Sequence, residues 1–323
     1  MAIYSKNQLT IGDQARGSIK KKNTVLDNIL KHRALYFMAL PGLLWYLIFK
    51  YLPMMGSIIA FQDYNLFKGF SGSPFVGLKH FKFFMQYPEF FRILRNTLVI
   101  GLYDIIFSFP APIILALLLN EITKNSFKRT IQTLVYIPHF LSWVVIGGIF
   151  MNTILSPDAG IINYFLKILG FDPIFFMSKP SYIRSILITS GIWKDIGYGT
   201  IVYLAAIAGI NPNLYEASSV DGASRLRQVF VITIPSIMSV VVVMLLLRIG
   251  HFMDFGFERV YVFLSGINQD AAEIFDTYIY RVGLQGSQFS YSTAVGLFKS
   301  VVGLVLLLVS NFLSKKLADK SLF

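Results

Sequence analysis

The ionisable side chains that interrupt the apolar stretches of this chain are the first candidates for chemistry. Lys194 and Asp195 adjoin within one such stretch, and Arg248, His251 and Asp254 follow at three-residue spacing in another. That spacing predicts that the second group lies along one helical face. Charges inside a lipid-spanning segment are costly and usually face the bundle interior or a water-filled path. These side chains could therefore bind a polar solute.

A purely structural role for the same charges explains the pattern equally well. Lys194 would then pair with Asp195, and Arg248 with Asp254, because an unpaired charge in lipid is expensive. Two further charges in apolar stretches, Asp104 and Lys299, are expected to be structural or to lie at the end of a span. The residues alone leave the choice between solute binding and pairing open.

Signals for catalysis or a cofactor are weak. There are no cysteines, which excludes disulfides, thiolate metal sites and cysteine nucleophiles. The four histidines do not have metal-ligand spacing; they are His32, His80, His139 and His251. Between Gly72 and Lys79 the glycines suggest a phosphate loop, but Leu78 separates Gly77 from the lysine and no Ser or Thr follows it. We therefore expect the chain to bind no cofactor and to hydrolyse no ATP.

The composition is that of an integral membrane protein. Of 323 residues, 55% are hydrophobic and only 14% are charged, and the mean hydropathy is +0.61. A soluble domain of this length could not cover so much apolar surface. The net charge of +12 lies mostly in tails and short loops rather than in a footprint with base-reading elements. Nucleic acid is therefore not an expected partner.

Six stretches are long and apolar enough to span a bilayer, which needs about 20 residues each. They run roughly over 34–60, 94–119, 130–155, 182–210, 228–253 and 291–314. Pro41 and Pro53 predict that the first is bent or ends early. With both termini inside, the inner side holds fifteen Lys and Arg residues and the outer side ten in longer connections. This bias predicts cytoplasmic tails.

Residues 1–33 form a basic tail without the features of a cleavable signal peptide. Its second part, 24–33, is either an amphipathic helix on the membrane surface or a disordered segment. The outer connections 61–93, 156–181 and 254–290 carry aromatic and turn residues. We expect them to be ordered caps that contain short helices.

The most informative segment is the polar stretch 211–235, which lies between two spans on the inner side. Asn211 and Pro212 are suited to begin a short helix over 212–219. Gly222 would end it, since glycine accepts backbone angles that other residues resist. A second turn would then start at 224–228 and lead into the fifth span. The sequence thus predicts a rigid elbow that exposes Glu216 and Ala217.

This stretch resembles the EAA loop of ABC-importer permeases, written E-A-A-x3-G-x9-I-x-L-P. The matching residues are Glu216, Ala217, Gly222, Ile232 and Pro235, with Ser218 and Ile234 as mild departures. Asp221, Ala223 and Phe230 fit the longer form found in sugar permeases. Further similarity to carbohydrate-uptake permeases lies at 96–98, 136–138, 257–262, 277–280 and 291–294.

The resemblance implies an all-α membrane fold of six transmembrane helices, with a type I ABC permease core and a cytoplasmic coupling helix. The expected parts are the tail 1–33, a first helix 34–61, an outer loop 62–91, the permease domain 92–314 and a C-terminal tail 315–323. The resemblance also implies that the protein lies in the bacterial cytoplasmic (inner) membrane. The maltose-importer type, and the subgroup for complex oligosaccharides such as alginate, are the most similar in style.

The resemblance also implies partners and roles. Two ATPase subunits, which carry ATP and Mg, would dock on the elbow at Glu216, Ala217, Asp221, Gly222 and Ala223. A second permease, expected to be a paralogue, would complete the path, and an extracytoplasmic binding protein would deliver the oligosaccharide. The fourth and fifth spans would flank that path. Its expected lining is Trp193, Lys194, Asp195, Tyr198, Arg248, His251 and Phe252, and the basic members favour an acidic sugar.

Two other classes of protein remain as alternatives. A secondary transporter driven by an ion gradient would show inverted repeats and interrupted half-helices, and the sequence shows no repeat. A membrane-embedded enzyme would need paired acids or a metal cluster, which the sequence lacks.

Overall fold

The computed structural model describes residues 31–254 and 256–318, and the regular secondary structure of this part of the chain is helical, with one isolated bridge between Gln62 and Phe75. The all-α prediction is therefore confirmed for the described residues. Residues 24–30, most of the predicted surface helix, and the basic residues of the tail up to Lys22 lie outside them. The chain divides into two compact units, Met1–Gly56 and Ser57–Phe323.

The main helices are labelled here in chain order. They are α1 Arg33–Phe61, α2 Glu89–Asn120, α3 Asn125–Phe140, α4 Trp143–Ile154, α5 Pro180–Ala208, α6 Pro212–Val220, α7 Arg225–Gly250 and α8 Phe289–Ala318. The connections contain the short helices Gly69–Gly72, Lys79–Gln86, Ile161–Ile168, Phe176–Ser178, Phe257–Phe263, Gln269–Ala272 and Phe275–Ile279, as predicted for ordered caps.

Four described helices, α1, α2, α7 and α8, are long and apolar enough to cross a membrane. The pair α3 and α4 passes the same test together but is bent by 104° at the break between them. The predicted stretch 130–155 is therefore not one continuous helix. Pro138 lacks an amide hydrogen, and the chain tightens into a 3-10 turn at Ile137–Phe140 before Ser142 caps α4.

Three prolines inside the long helices are each preceded by a wide π-helical turn. The turns Leu47–Tyr51, Asp104–Ser108 and Val229–Thr233 end two residues before Pro53, Pro110 and Pro235. A proline ring clashes with the carbonyl four residues earlier and cannot donate a hydrogen bond. The wide turn relieves both problems. The first helix therefore does not end at Pro53 but continues to Phe61.

The packed interior of the second unit consists of three groups of side chains. One joins α2, α4 and α5 to the helix Phe257–Phe263, around Ile100, Ile146 and Leu187. A second is aromatic and includes Phe84 and Tyr278. The third packs α2, α5 and α7 together around Ile237. All three groups contain residues of α2 or of the short helices beside it, and two include α5, so these helices form the frame that positions the polar groups described next.

Candidate functional site

A cavity of about 290 Å³ is lined by residues of α2, α5 and α7 and by Arg259 of the helix Phe257–Phe263. Five ionisable side chains with acidic or basic groups line it, four on these helices and one on the residue after α7. They are Asp104, Asp195, Arg248, His251 and Arg259. The rest of the lining is mostly apolar or small, with Gly191, Pro112 and Met244 among its members, and includes the hydroxyl-bearing Ser108 and Tyr203. The cavity thus offers a polar surface within helices that are otherwise apolar.

Asp104 is the centre of the charged group in this cavity. It lies in the π turn of α2 and is only 3% exposed. Its carboxylate accepts a hydrogen bond from Arg259 Nη1 at 3.0 Å and a second from Arg248 Nη2. Arg259 also donates to the main-chain oxygen of Leu187 from Nε at 2.9 Å and from Nη2 at 2.7 Å. A buried carboxylate between two guanidinium groups therefore ties α2, α5, α7 and the helix Phe257–Phe263 together.

Gly191 makes room for this arrangement on α5. A Cβ atom at Gly191 would lie 2.5 Å from Arg259 Nη2, well inside contact distance. The Arg259 side chain is almost fully buried, whereas the Arg248 side chain is 46% exposed. Arg248 is thus the guanidinium of the two that faces the open part of the cavity.

The pairing of Arg248 with Asp254 that the sequence allowed is wrong. Arg248 binds Asp104, while Asp254 accepts from Lys299 Nζ at 2.9 Å, as does Asp276 at 2.5 Å. Nor do Arg248, His251 and Asp254 share a helical face, because α7 ends at Gly250. His251 has left helical geometry, and its Nδ1 donates to the Leu247 oxygen at 2.9 Å, which also accepts from the His251 amide at 3.2 Å.

Lys194 does not pair with Asp195 either. Its ammonium group donates to the main-chain oxygens of His139, at 2.9 Å, and of Leu141. These two carbonyls lie at the break between α3 and α4, where regular helical hydrogen bonding is interrupted. Asp195 instead binds His139 Nδ1 at 2.9 Å. Lys194 therefore stabilises the bend, a role that no local pattern in the sequence indicates.

The predicted path residues are only partly brought together. Asp195, Arg248 and His251 line the cavity, whereas Trp193, Lys194, Tyr198 and Phe252 are not part of its lining. Trp193 makes an edge contact with Phe150, and Tyr198 stacks on His139 with a centroid distance of 4.0 Å. Phe252 packs against the aromatic group of Phe84 and Tyr278. Asp104 and Arg259 line the cavity but were not predicted to do so, although Asp104 was visible as a charge within an apolar stretch.

The predicted elbow is present in the structure. Asn211 caps α6 by accepting from the amide of Asn213 at 3.0 Å, and Gly222 ends it with φ +77°. Ser224 then caps α7 through the amide of Arg227 at 3.4 Å. Glu216 and Ala217 are exposed on α6, as the sequence predicted. Asp221 and Gly222 are exposed in the turn, and Ala223 is half-buried.

A second charged group, the Glu273 cluster, joins α2 to the connection between α7 and α8. Its members are Glu89, Arg92, Asp270, Glu273 and Arg281. The fully buried Glu273 accepts from Arg92 Nη2 at 2.8 Å, and from Arg281 Nε at 2.8 Å and Nη2 at 3.1 Å. Hydrogen bonding to Glu273 raises the pKa of Arg281. The carboxylates of this connection are thus largely engaged within the chain.

Comparisons with known proteins identify the family. A family model described as the binding-protein-dependent transport system inner membrane component matches residues 108–319. The polygalacturonan/rhamnogalacturonan transport system permease protein YteP of Bacillus subtilis (strain 168) is 47% identical over 304 residues, 94% of each chain. Protein LplB of the same organism is 48% identical over 289 residues, 90% of this chain and 91% of that one.

Solved structures give the same answer. A chain in the crystal structure of a bacterial ABC transporter involved in the import of the acidic polysaccharide alginate matches with a TM-score of 0.84 and 40% identity. The match covers 91% of this chain and 99% of that one. The resemblance to ABC-importer permeases is confirmed, and with several helices apolar enough to cross a bilayer the protein is multi-pass. The chain belongs to the family of inner membrane components of binding-protein-dependent transport systems.

Proposed function

We propose that this chain is one of two permease subunits of an ATP-driven importer and forms half of the path for an acidic oligosaccharide. The observation that carries the proposal is the polar cavity between α2, α5 and α7, with the half-exposed Arg248 at its wall. Ionisable groups within the spanning helices of a membrane protein commonly mark the pathway of a solute or an ion. Membership of the family supplies the class of transporter.

Six membrane spans fit this proposal. The 29 residues of α5 would extend about 43 Å, enough to cross a bilayer, although α5 is not among the four described helices that are apolar enough to do so by composition. The bent pair α3 and α4 would supply the third span. Both tails, 1–33 and 315–323, would then face the cytoplasm together with the elbow. The first helix at 34–61 and the loop 62–91 would precede a permease domain at 92–314.

An acidic substrate is supported by the chemistry of Arg248. A guanidinium group binds a carboxylate through two parallel hydrogen bonds, and Arg248 has a single described acid partner, Asp104. Of the similar proteins, one is named for polygalacturonan and another imports the acidic polysaccharide alginate. His251 and Asp195, which also line the cavity, would bind sugar hydroxyls. Trp193, Tyr198 and Phe252 would contact sugar rings after the helices move, and Lys194 would retain its role at the bend.

Energy would reach the path through the elbow. Two ATPase subunits, each with ATP and Mg, would dock on Glu216, Ala217 and the turn Asp221–Ala223, so this chain needs no cofactor of its own. An extracytoplasmic binding protein would deliver the oligosaccharide, and a second, paralogous permease would complete the path. The exposed carboxylate of Glu216 suits a basic residue in the ATPase groove.

The proposal is tested by reconstituting the importer and measuring uptake together with ATP hydrolysis. Arg248→Gln should reduce uptake of an oligogalacturonide about tenfold, the loss of one charged hydrogen-bond pair, and change uptake of a neutral oligosaccharide of equal length much less. Equal losses for both sugars would contradict the substrate assignment. Uptake that follows an ion gradient without ATP would identify a secondary transporter instead.

The elbow is tested in the same preparation. Glu216→Lys should leave the permease in the membrane but remove the ATPase on purification. Asp158→Lys is the matched control, because it reverses another exposed carboxylate, in the connection between α4 and α5 that the proposed topology puts on the outer side. A Glu216→Lys complex that retains the ATPase and full sugar-stimulated hydrolysis would refute the docking role.

A further inference from the structure

The elbow helix α6 is attached to α7 by a side chain that the family motif does not specify. Gln228 lies in the first turn of α7 and its amide reaches back to α6. Nε2 donates to Ser218 Oγ at 2.8 Å and to Ser219 Oγ at 2.9 Å, and it lies 3.3 Å from the main-chain oxygen of Tyr215. One side chain of α7 thus contacts three residues of α6.

Both serine hydroxyls donate as well as accept in this arrangement. Ser218 Oγ and Ser219 Oγ each donate to the Tyr215 oxygen, at 2.9 and 2.8 Å. Each hydroxyl uses its own hydrogen for the Tyr215 oxygen, and its lone pairs remain available to accept from Gln228. An alanine at position 218, the commoner residue in the EAA pattern, would remove one of these acceptors.

A second link lies about one and a half turns further along α7. Tyr215 on α6 shares a hydrogen bond of 2.9 Å with Thr233 Oγ1, and Thr233 is 1% exposed. The two links are five residues apart on α7 and hold α6 at two points. By contrast, the covalent connection between the helices runs through Asp221 and Gly222, where a Cβ on the glycine would meet no described atom within 4 Å.

We propose that Gln228 is a positioning residue that fixes the angle between α6 and α7. The inference rests on the proposed coupling of the elbow to an ATPase. Without Gln228, only the Tyr215–Thr233 bond of these two links would remain, and α6 could turn about that single point and about Gly222, where a Cβ would meet nothing within 4 Å. With Gln228 in place the displacement passes into α7, whose other end carries Arg248. Movement of the elbow thus reaches the Arg248–Asp104 pair about 30 Å away, at about 1.5 Å per residue over about 20 residues.

The test replaces Gln228 with methionine, which keeps the length of the side chain and removes its hydrogen bonds. In the reconstituted importer we expect Gln228→Met to keep the ATPase bound and basal hydrolysis intact. Sugar imported per ATP hydrolysed should fall about five- to tenfold, the effect of losing one or two hydrogen bonds. Gln132→Met on α3 is the matched control and should leave this ratio unchanged. An unchanged ratio in Gln228→Met would overturn the proposal.

A distance measurement separates this inference from the proposed function. The chain has no cysteine, so spin labels can be attached at Val220→Cys and Val231→Cys alone. We expect one narrow distance distribution in the parent chain and a broad one in Gln228→Met. Ser219→Ala, a milder change, should broaden it less. If the parent importer proves not to use ATP, the proposed function fails. The distance distributions between the two labels would still measure how firmly the angle between α6 and α7 is held. Equal widths in all three chains would refute the positioning role.

Discussion

Substitution of Glu273 by glutamine tests whether buried charge holds α2 to the connection between α7 and α8. Glu273 is 0% exposed and accepts three hydrogen bonds from Arg92 and Arg281. Removing one member of a buried ion pair typically costs about 3–5 kcal/mol, since the partner charge is left uncompensated. Glutamine retains one acceptor oxygen, so we take the lower value, about 3 kcal/mol.

The matched control is Asp270→Asn. Asp270 also binds Arg92, but its side chain is 82% exposed, and an exposed ion pair contributes about 0–1 kcal/mol. At about 2–4 °C per kcal/mol for a unit of this size, Glu273→Gln should lower the thermal midpoint by about 6–12 °C and Asp270→Asn by at most about 4 °C. Scanning fluorimetry of the purified protein measures both. Equal shifts in the two variants would show that burial does not govern the strength of this cluster.

Two further predictions concern α5. Lys194→Met should lower the thermal midpoint and reduce uptake of acidic and neutral sugars alike, because the ammonium group donates to two main-chain carbonyls. A loss of uptake confined to acidic sugars would instead mean that Lys194 binds the substrate. Gly197→Ala should prevent assembly, since its Cβ would lie 2.1 Å from the Val135 oxygen on α3. Gly148→Ala is the control, with no described atom within 4 Å of its Cβ, and size-exclusion chromatography of the solubilised protein compares the two.

Local structure could be predicted from the sequence where it depends on residues that are close together in the chain. The stretch 94–119 is found as Glu89–Asn120 and the stretch 228–253 as Arg225–Gly250. The elbow was also predictable, because its caps and its glycine act within four residues. Pro41 and Pro53 predicted a bend or an early end of the first helix, whereas no interruption was predicted at Pro138. Pro53 is accommodated by a π turn, whereas Pro138 is followed by a bend of 104°.

Partners distant in the chain could not be predicted. Asp104 lies 144 residues from Arg248 and 155 from Arg259, and nothing in the composition of a helix states which charge it will meet. Pairing between neighbours in sequence is therefore the natural prediction, and the pairs Lys194–Asp195 and Arg248–Asp254 are both wrong. The same limit applies to Glu273, whose partner Arg92 is 181 residues away. Helix periodicity identifies a buried face, but the packing of several helices decides which groups meet there.

The bond between Lys194 and the bend at His139–Leu141 has a consequence for biosynthesis. Main-chain carbonyls without a donor cannot remain in hydrocarbon, so the bent pair α3 and α4 is poorly suited to lipid on its own. The lysine of α5 is equally unsuited to enter alone. Each segment supplies what the other lacks, but α5 leaves the ribosome only after the pair is made. If both segments span the bilayer as proposed, we expect the insertion machinery to retain the earlier segment until the later one arrives, so that the two enter the bilayer together.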